Sequence, residues 1–162
     1  MLKNILLLGL LCSSINLANA SSDTLLEKFN QLSEEDKKSF KVYLNVKEWI
    51  NVGESTGDNF DLNYKYLKTK PYGIIETWIR ATVINDIVED GLSIGDYTMF
   101  LYNFNCSESS TKVLSYTNYK KSGKNFESGT KPIYTGFRPV IPGSIGESLL
   151  SSACDYNAIK NN

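Results

Sequence analysis

The chain has 162 residues, with 17 Lys and Arg against 18 Asp and Glu and no histidine. A formal charge of −1 gives no electrostatic case for nucleic acid or an anionic membrane surface. The lack of imidazole excludes Ser-His-Asp and Cys-His catalysis.

Residues 1–20 read as a signal peptide. Lys3 is the positive n-region, Ile5 to Leu11 the apolar h-region, and Ala18-Asn19-Ala20 has the A-x-A form of a cleavage site. The apolar run falls well short of the roughly 20 residues a membrane-spanning helix needs. Cys12 raises the alternative of a lipid anchor. It is preceded by Leu11 rather than a small residue, so cleavage after Ala20 is the preferred reading. Removing Lys3 with the leader shifts the charge from −1 to −2.

Residues 21–46 are polar and helical in pattern. Leu25, Leu26, Phe29 and Leu32 share a face, and Ser33-Glu-Glu-Asp36 is an N-cap signal ahead of Phe40, Tyr43 and Leu44. Two short helices or one broken helix are expected. The segment either docks on the domain or stands off as an arm.

From Trp49 the pattern turns to short β runs. Glu48 to Val52 is the first. Phe60 to Leu67 alternates, with Phe60, Leu62, Tyr64 and Tyr66 pointing one way and Asp61, Asn63 and Lys65 the other. After the Pro71-Tyr-Gly73 turn, Ile74 to Ile84 is the longest run. Tyr97 to Phe104 is apolar on both faces, as a covered central strand would be. Val113 to Tyr119 leads into the basic turn Lys120-Lys121-Ser-Gly-Lys124, and Ile133 to Ile141 is the last extended segment. Ten tyrosines and seven phenylalanines suit β structure.

Pro142 and Gly143 end that segment. Ser144 stands at an N-cap with Glu147 three residues on, the spacing at which the hydroxyl accepts from the Glu147 N–H and the carboxylate from the Ser144 N–H. Ile145, Leu149, Leu150 and Ala153 give the helix an apolar face that runs to Cys154. Without Cys12 the remaining cysteines are Cys106 and Cys154, and an even count in an exported chain reads as a disulfide. Two free thiols or a zinc site are the weaker readings, the second because histidine is lacking. The closed loop of about 49 residues would contribute about 4 kcal/mol in the chain-entropy model.

The fold expected is α+β: an antiparallel sheet of about five or six strands with a C-terminal helix and an N-terminal helical segment. The domain runs over 47–158, and 159–162 form a disordered tail.

Four features occur in a familiar order: Trp49-Ile-Asn-Val-Gly53, Thr77-Trp78-Ile79-Arg80, Tyr102-Asn-Phe-Asn-Cys106, and Val140-Ile-Pro-Gly-Ser-Ile-Gly-Glu147 with a helix to Cys154. Over residues 47–156 the chain resembles the surface-adhesin protein E family of small exported bacterial domains. The resemblance implies a sheet packed on a C-terminal helix and joined to it by the disulfide. It also implies export to the periplasm or cell surface and an adhesive, protein-binding role. It departs from the family at the N-terminal segment and at Phe137, where tryptophan is the commoner aromatic.

Candidate sites follow from residue type. Trp78 and Arg80 lie on the more polar face of their strand. An open face would make them an aromatic–arginine patch of the kind enriched at binding hot spots. A face covered by a helix would make Trp78 core and shift the patch to Tyr116, Tyr119 and Lys121. Trp49, Pro142, Gly143, Ser144 and Glu147 read as structural. Asp86, Glu89, Asp90 and Asp96 form an acidic loop without EF-hand spacing, so no metal or cofactor is expected. The leading expectation is a non-catalytic domain that binds a protein, either on a host surface or matrix or within the cell envelope. A structural or inhibitory subunit of a periplasmic envelope complex is the alternative, with a homodimer a further option.

Overall fold

The computed structural model describes residues 24–87, 91–129 and 136–162. The leader, Glu89, Asp90 and the start of the Ile133–Ile141 segment lie outside the described residues.

The described residues begin with two capped helices. Thr24 caps α1 (Leu25–Asn30) in a reciprocal box: the Glu27 N–H donates to the Thr24 hydroxyl at 3.2 Å, and the Thr24 N–H donates to the Glu27 carboxylate at 2.7 Å. Ser33 caps α2 (Glu34–Val46), accepting from the Asp36 N–H at 3.2 Å. The pair is docked, which settles the choice that periodicity left open. Phe29 and Leu44 are buried in the common core, and the Leu26 N–H donates to Asp155 at 3.2 Å.

Among the described residues, eight strands form one antiparallel sheet: β1 (Trp49–Glu54), β2 (Asp58–Asn63), β3 (Lys68–Thr69), β4 (Ile74–Val83), β5 (Tyr97–Asn105), β6 (Ser110–Tyr119), β7 (Asn125–Gly129) and β8 (Arg138–Pro139). The order is β1-β2-β4-β5-β6-β7, with the two-residue strands β3 and β8 added to β4 and β6. Helix α3 (Ile145–Asn161) follows. This is the expected α+β class.

The period-2 geometry of strands divides the sheet into two faces. Ile75, Thr77 and Ile79 of β4 and Phe104 of β5 face the helices and are buried with Leu149, Leu150, Ala153, Tyr156 and Ile159 of α3. Thr77 is tolerated there because its hydroxyl donates to the Asn63 carbonyl at 2.8 Å. Farther along the same face, Thr98 donates to Asn118 at 2.8 Å. β1 leans on the start of α3 so closely that a Cβ at Gly53 would meet Ile145 Cδ1 at 2.7 Å.

The disulfide joins Cys106 to Cys154, with Cα atoms 6.0 Å apart. It ties the end of β5 to the middle of α3. The turn before α3 differs in one bond from the expected box. The Ser144 hydroxyl does accept from Glu147 N–H, at 3.4 Å. The Glu147 carboxylate, however, accepts from the Gly143 N–H at 2.7 Å, because the Ser144 N–H already donates to the Ile141 carbonyl. Gly143 supplies the positive φ of 73° that this turn requires.

Two further expectations are corrected. Residues 159–162 are not a disordered tail: α3 continues to Asn161, Ile159 is fully buried, and Lys160 Nζ donates to the carbonyls of Tyr64, Lys65 and Leu67 at 3.0–3.3 Å. The second strand does not reach Leu67. The Asn63 side chain accepts from the Tyr66 N–H at 2.9 Å and turns the chain. β7 was not anticipated: its composition, Asn-Phe-Glu-Ser-Gly, carries no apolar alternation to announce it.

Candidate functional site

The sheet face turned away from the helices carries the candidate site. Alternation along β4 places Glu76, Trp78 and Arg80 on it. Register sets Asp61 of β2 beside Arg80, Leu101 of β5 beside Trp78, and Lys68 of β3 beside Glu76. None of these residues belongs to the core cluster beneath the helices, so Trp78 is not helix-covered core. It is half-buried, and its neighbour is Tyr66, with ring centroids 6.2 Å apart.

Arg80 organises one half of the face. Its Nη2 and Nε donate to Asp61 Oδ2 at 2.8 and 3.2 Å. Its guanidinium carbon lies 4.7 Å from the centroid of the Trp49 ring, a cation–π distance. Trp49, expected to be structural, therefore lies beside the patch. Lys68 Nζ stands 4.0 Å from the Tyr66 ring centroid, and Lys70 pairs with the buried Glu76 at 3.3 Å. The result is a ladder of aromatic rings and cations in which both carboxylates are matched by a cation.

Tyr66 was expected on the core side with Leu62 and Tyr64; the turn at Asn63 moves it to the opposite face. Tyr72 gave no sequence signal. It sits in the turn joining β3 to β4 with φ 63°, and it is 97% exposed. A non-glycine residue in the left-handed region costs about 1 kcal/mol, and here no burial of the ring offsets it.

The fallback group does not form one patch. Tyr116 pairs in register with Phe100 on the helix-facing side, while Tyr119 lies on the opposite face and stacks on Tyr97 at 5.0 Å. Lys121 is exposed in the following turn.

The acidic loop is also divided. Asp96 is buried and accepts from Lys120 Nζ, the Lys121 N–H and the Ser93 N–H, each at 2.9 Å. The Lys120 hydrogen bond, then the two backbone donors, pull its carboxyl down to about 2. Asp96 clamps the loop to the β6–β7 turn. Asp86 instead lines a separate cavity of about 220 Å³ with Ser55, Asp58 and Asn85. Among the described residues no three His, Cys, Asp or Glu side chains come together as a metal site would require.

Comparison with protein-family models, with curated proteins and with solved structures found no match.

Proposed function

We propose that this is an exported, non-catalytic protein-binding domain, adhesin-like as its sequence resemblance implies, acting at a bacterial cell surface or in the periplasm. The observation that carries the reading is the ladder of Trp49, Arg80, Trp78, Tyr66 and Lys68 on a sheet face that the helices leave uncovered. Trp, Tyr and Arg dominate binding hot spots because they combine large contact area with a polar tip. Tyr72 extends the same chemistry at the neighbouring turn, where its strain is unrelieved by packing. The Cys106–Cys154 bond supports an oxidising compartment.

The test is capture of envelope or host-matrix proteins by the purified chain carrying Trp78→Ala, Tyr66→Ala or Tyr72→Gly. Tyr72→Gly is the cleanest because glycine suits the left-handed position. It should weaken capture while leaving the melting temperature unchanged or raised. Undiminished capture by all three variants would refute the assignment to this face. Protease access on intact cells separates a surface adhesin from an envelope subunit using the same face.

A further inference from the structure

A second concave site lies on the helix side of the sheet, where α1 and α2 meet the C-terminal end of α3. Its volume is about 510 Å³, within the ~300–1,000 Å³ range of small-molecule sites. Three lysines of α2 line it, Lys37, Lys38 and Lys41, against one acidic residue, Glu34. Glu34 pairs with Lys37 at 2.9 Å. Lys38 is exposed, and Lys41 is half-buried with its ammonium 5.9 Å from the Phe29 ring centroid. The groove thus keeps an excess of positive charge in a chain whose overall charge is −1. Val42, 56% exposed, supplies apolar surface, while Phe29 is almost wholly buried in the core, and the carboxamides of Asn30, Asn45 and Asn162 supply neutral donors and acceptors.

We propose that this groove binds an organic phosphate, with Lys38 and Lys41 holding the phosphoryl oxygens and the carbon part lying against Val42. Lysine serves phosphate as a point charge. A row of lysines on a helix is ordinarily a solvated face; this one borders a concave site with Val42 and three carboxamides in its lining. The volume far exceeds the needs of a lone phosphate ion, and the amides suit hydroxyls on the carbon part. The phosphate can belong to a soluble molecule or to a lipid headgroup, and the two sources are separable. The site is independent of the sheet face described above.

The experiment uses the intact disulfide-bonded chain. Titration calorimetry is run with inorganic phosphate and with glycerol 3-phosphate. Cosedimentation is run with vesicles of phosphatidylglycerol in phosphatidylcholine and with phosphatidylcholine alone. Saturable binding of glycerol 3-phosphate, tighter than inorganic phosphate and weakening as NaCl rises from about 0.05 to about 0.3 M, establishes a soluble ligand class. Cosedimentation with phosphatidylglycerol vesicles but not with phosphatidylcholine, without soluble binding, assigns the phosphate to a headgroup. In either case Lys38→Glu with Lys41→Gln should reduce binding about tenfold or more, and Lys121→Glu with Lys124→Glu should not. Lys38→Ala, at an exposed position, replaces the double variant if that variant melts early. The proposal is overturned if no probe binds, if inorganic phosphate binds as well as glycerol 3-phosphate without vesicle binding, or if the hairpin variant loses as much as the groove variant.

Discussion

Arg80 and Asp61 meet across β4 and β2 with Nη2 and Oδ2 2.8 Å apart, and the aspartate side chain keeps only 13% of its exposure. The Arg80 side chain is 33% exposed, so solvent screens part of the attraction. The aspartate still depends on it, because a largely buried carboxylate without a donor bears the full cost of desolvation. The pair places a charge-assisted hydrogen bond at the centre of the candidate face and holds Arg80 against Trp49.

Arg80→Ala is therefore expected to destabilise the fold by about 1–3 kcal/mol, measured by urea denaturation. Arg80→Met combined with Asp61→Leu should recover most of that loss, since no charge is then left unpaired. If the double variant loses as much as Arg80→Ala, Arg80 stabilises through its packing on Trp49 and not through Asp61.

Acid should act through Asp96. Its carboxyl is held down to about 2 by Lys120 and by the N–H groups of Lys121 and Ser93. A carboxyl whose folded-state pKa is depressed contributes stability that is complete above its ordinary value of 3.8 and is lost as pH falls through the folded value. Melting temperatures of the native chain should fall across that interval, and Asp96→Asn should be less stable at neutral pH and flatter on the acid side. Parallel acid limbs for the two proteins would show that another group is responsible.

The N-terminus of α3 should be sensitive at Ser144. Ser144→Ala removes the acceptor for the Glu147 N–H and is expected to cost about 0.5–2 kcal/mol. Glu147→Gln keeps an acceptor for the Gly143 N–H while losing the charge that complements the helix dipole, and should cost less, about 0.3–1 kcal/mol. Chemical denaturation of the two single variants checks the order.

The last turn of α3 should prove essential. Ile159 is fully buried in the core cluster, and Ile159→Ala is expected to cost about 2–5 kcal/mol. A chain truncated after Ala158 should lose at least as much, since it also removes the Lys160 donor to three carbonyls. A truncated chain that melts with the native one would restore the reading of residues 159–162 as a tail.

Local chemistry was legible in the sequence. The caps at Ser33 and Ser144, the alternation through Ile74–Val83, the apolar face of α3 and the pairing of Cys106 with Cys154 each depend on neighbours a few residues apart or on a small count of one residue type. Tyr66 and Tyr72 were not legible in this way. A hydrogen bond that the Asn63 side chain accepts from the Tyr66 N–H interrupts the alternation and sends Tyr66 across the sheet. The left-handed backbone at Tyr72 follows from a turn whose shape is set by β3 pairing with β4.

What the sequence by itself determined is the α3 helix and the longer strands, the chemistry of the caps and the classes of catalysis denied by the lack of histidine. Tertiary structure alone decided which face of β4 the helices cover, that α1 and α2 dock, and that Tyr116 and Tyr119 are parted. The physical reason is that period and capping are properties of adjacent residues. Which face wins the helices depends on burial summed over the whole sheet: Leu62, Ile75, Ile79 and Phe104 carry no charge, whereas covering the ladder would desolvate the Arg80–Asp61 and Lys70–Glu76 pairs.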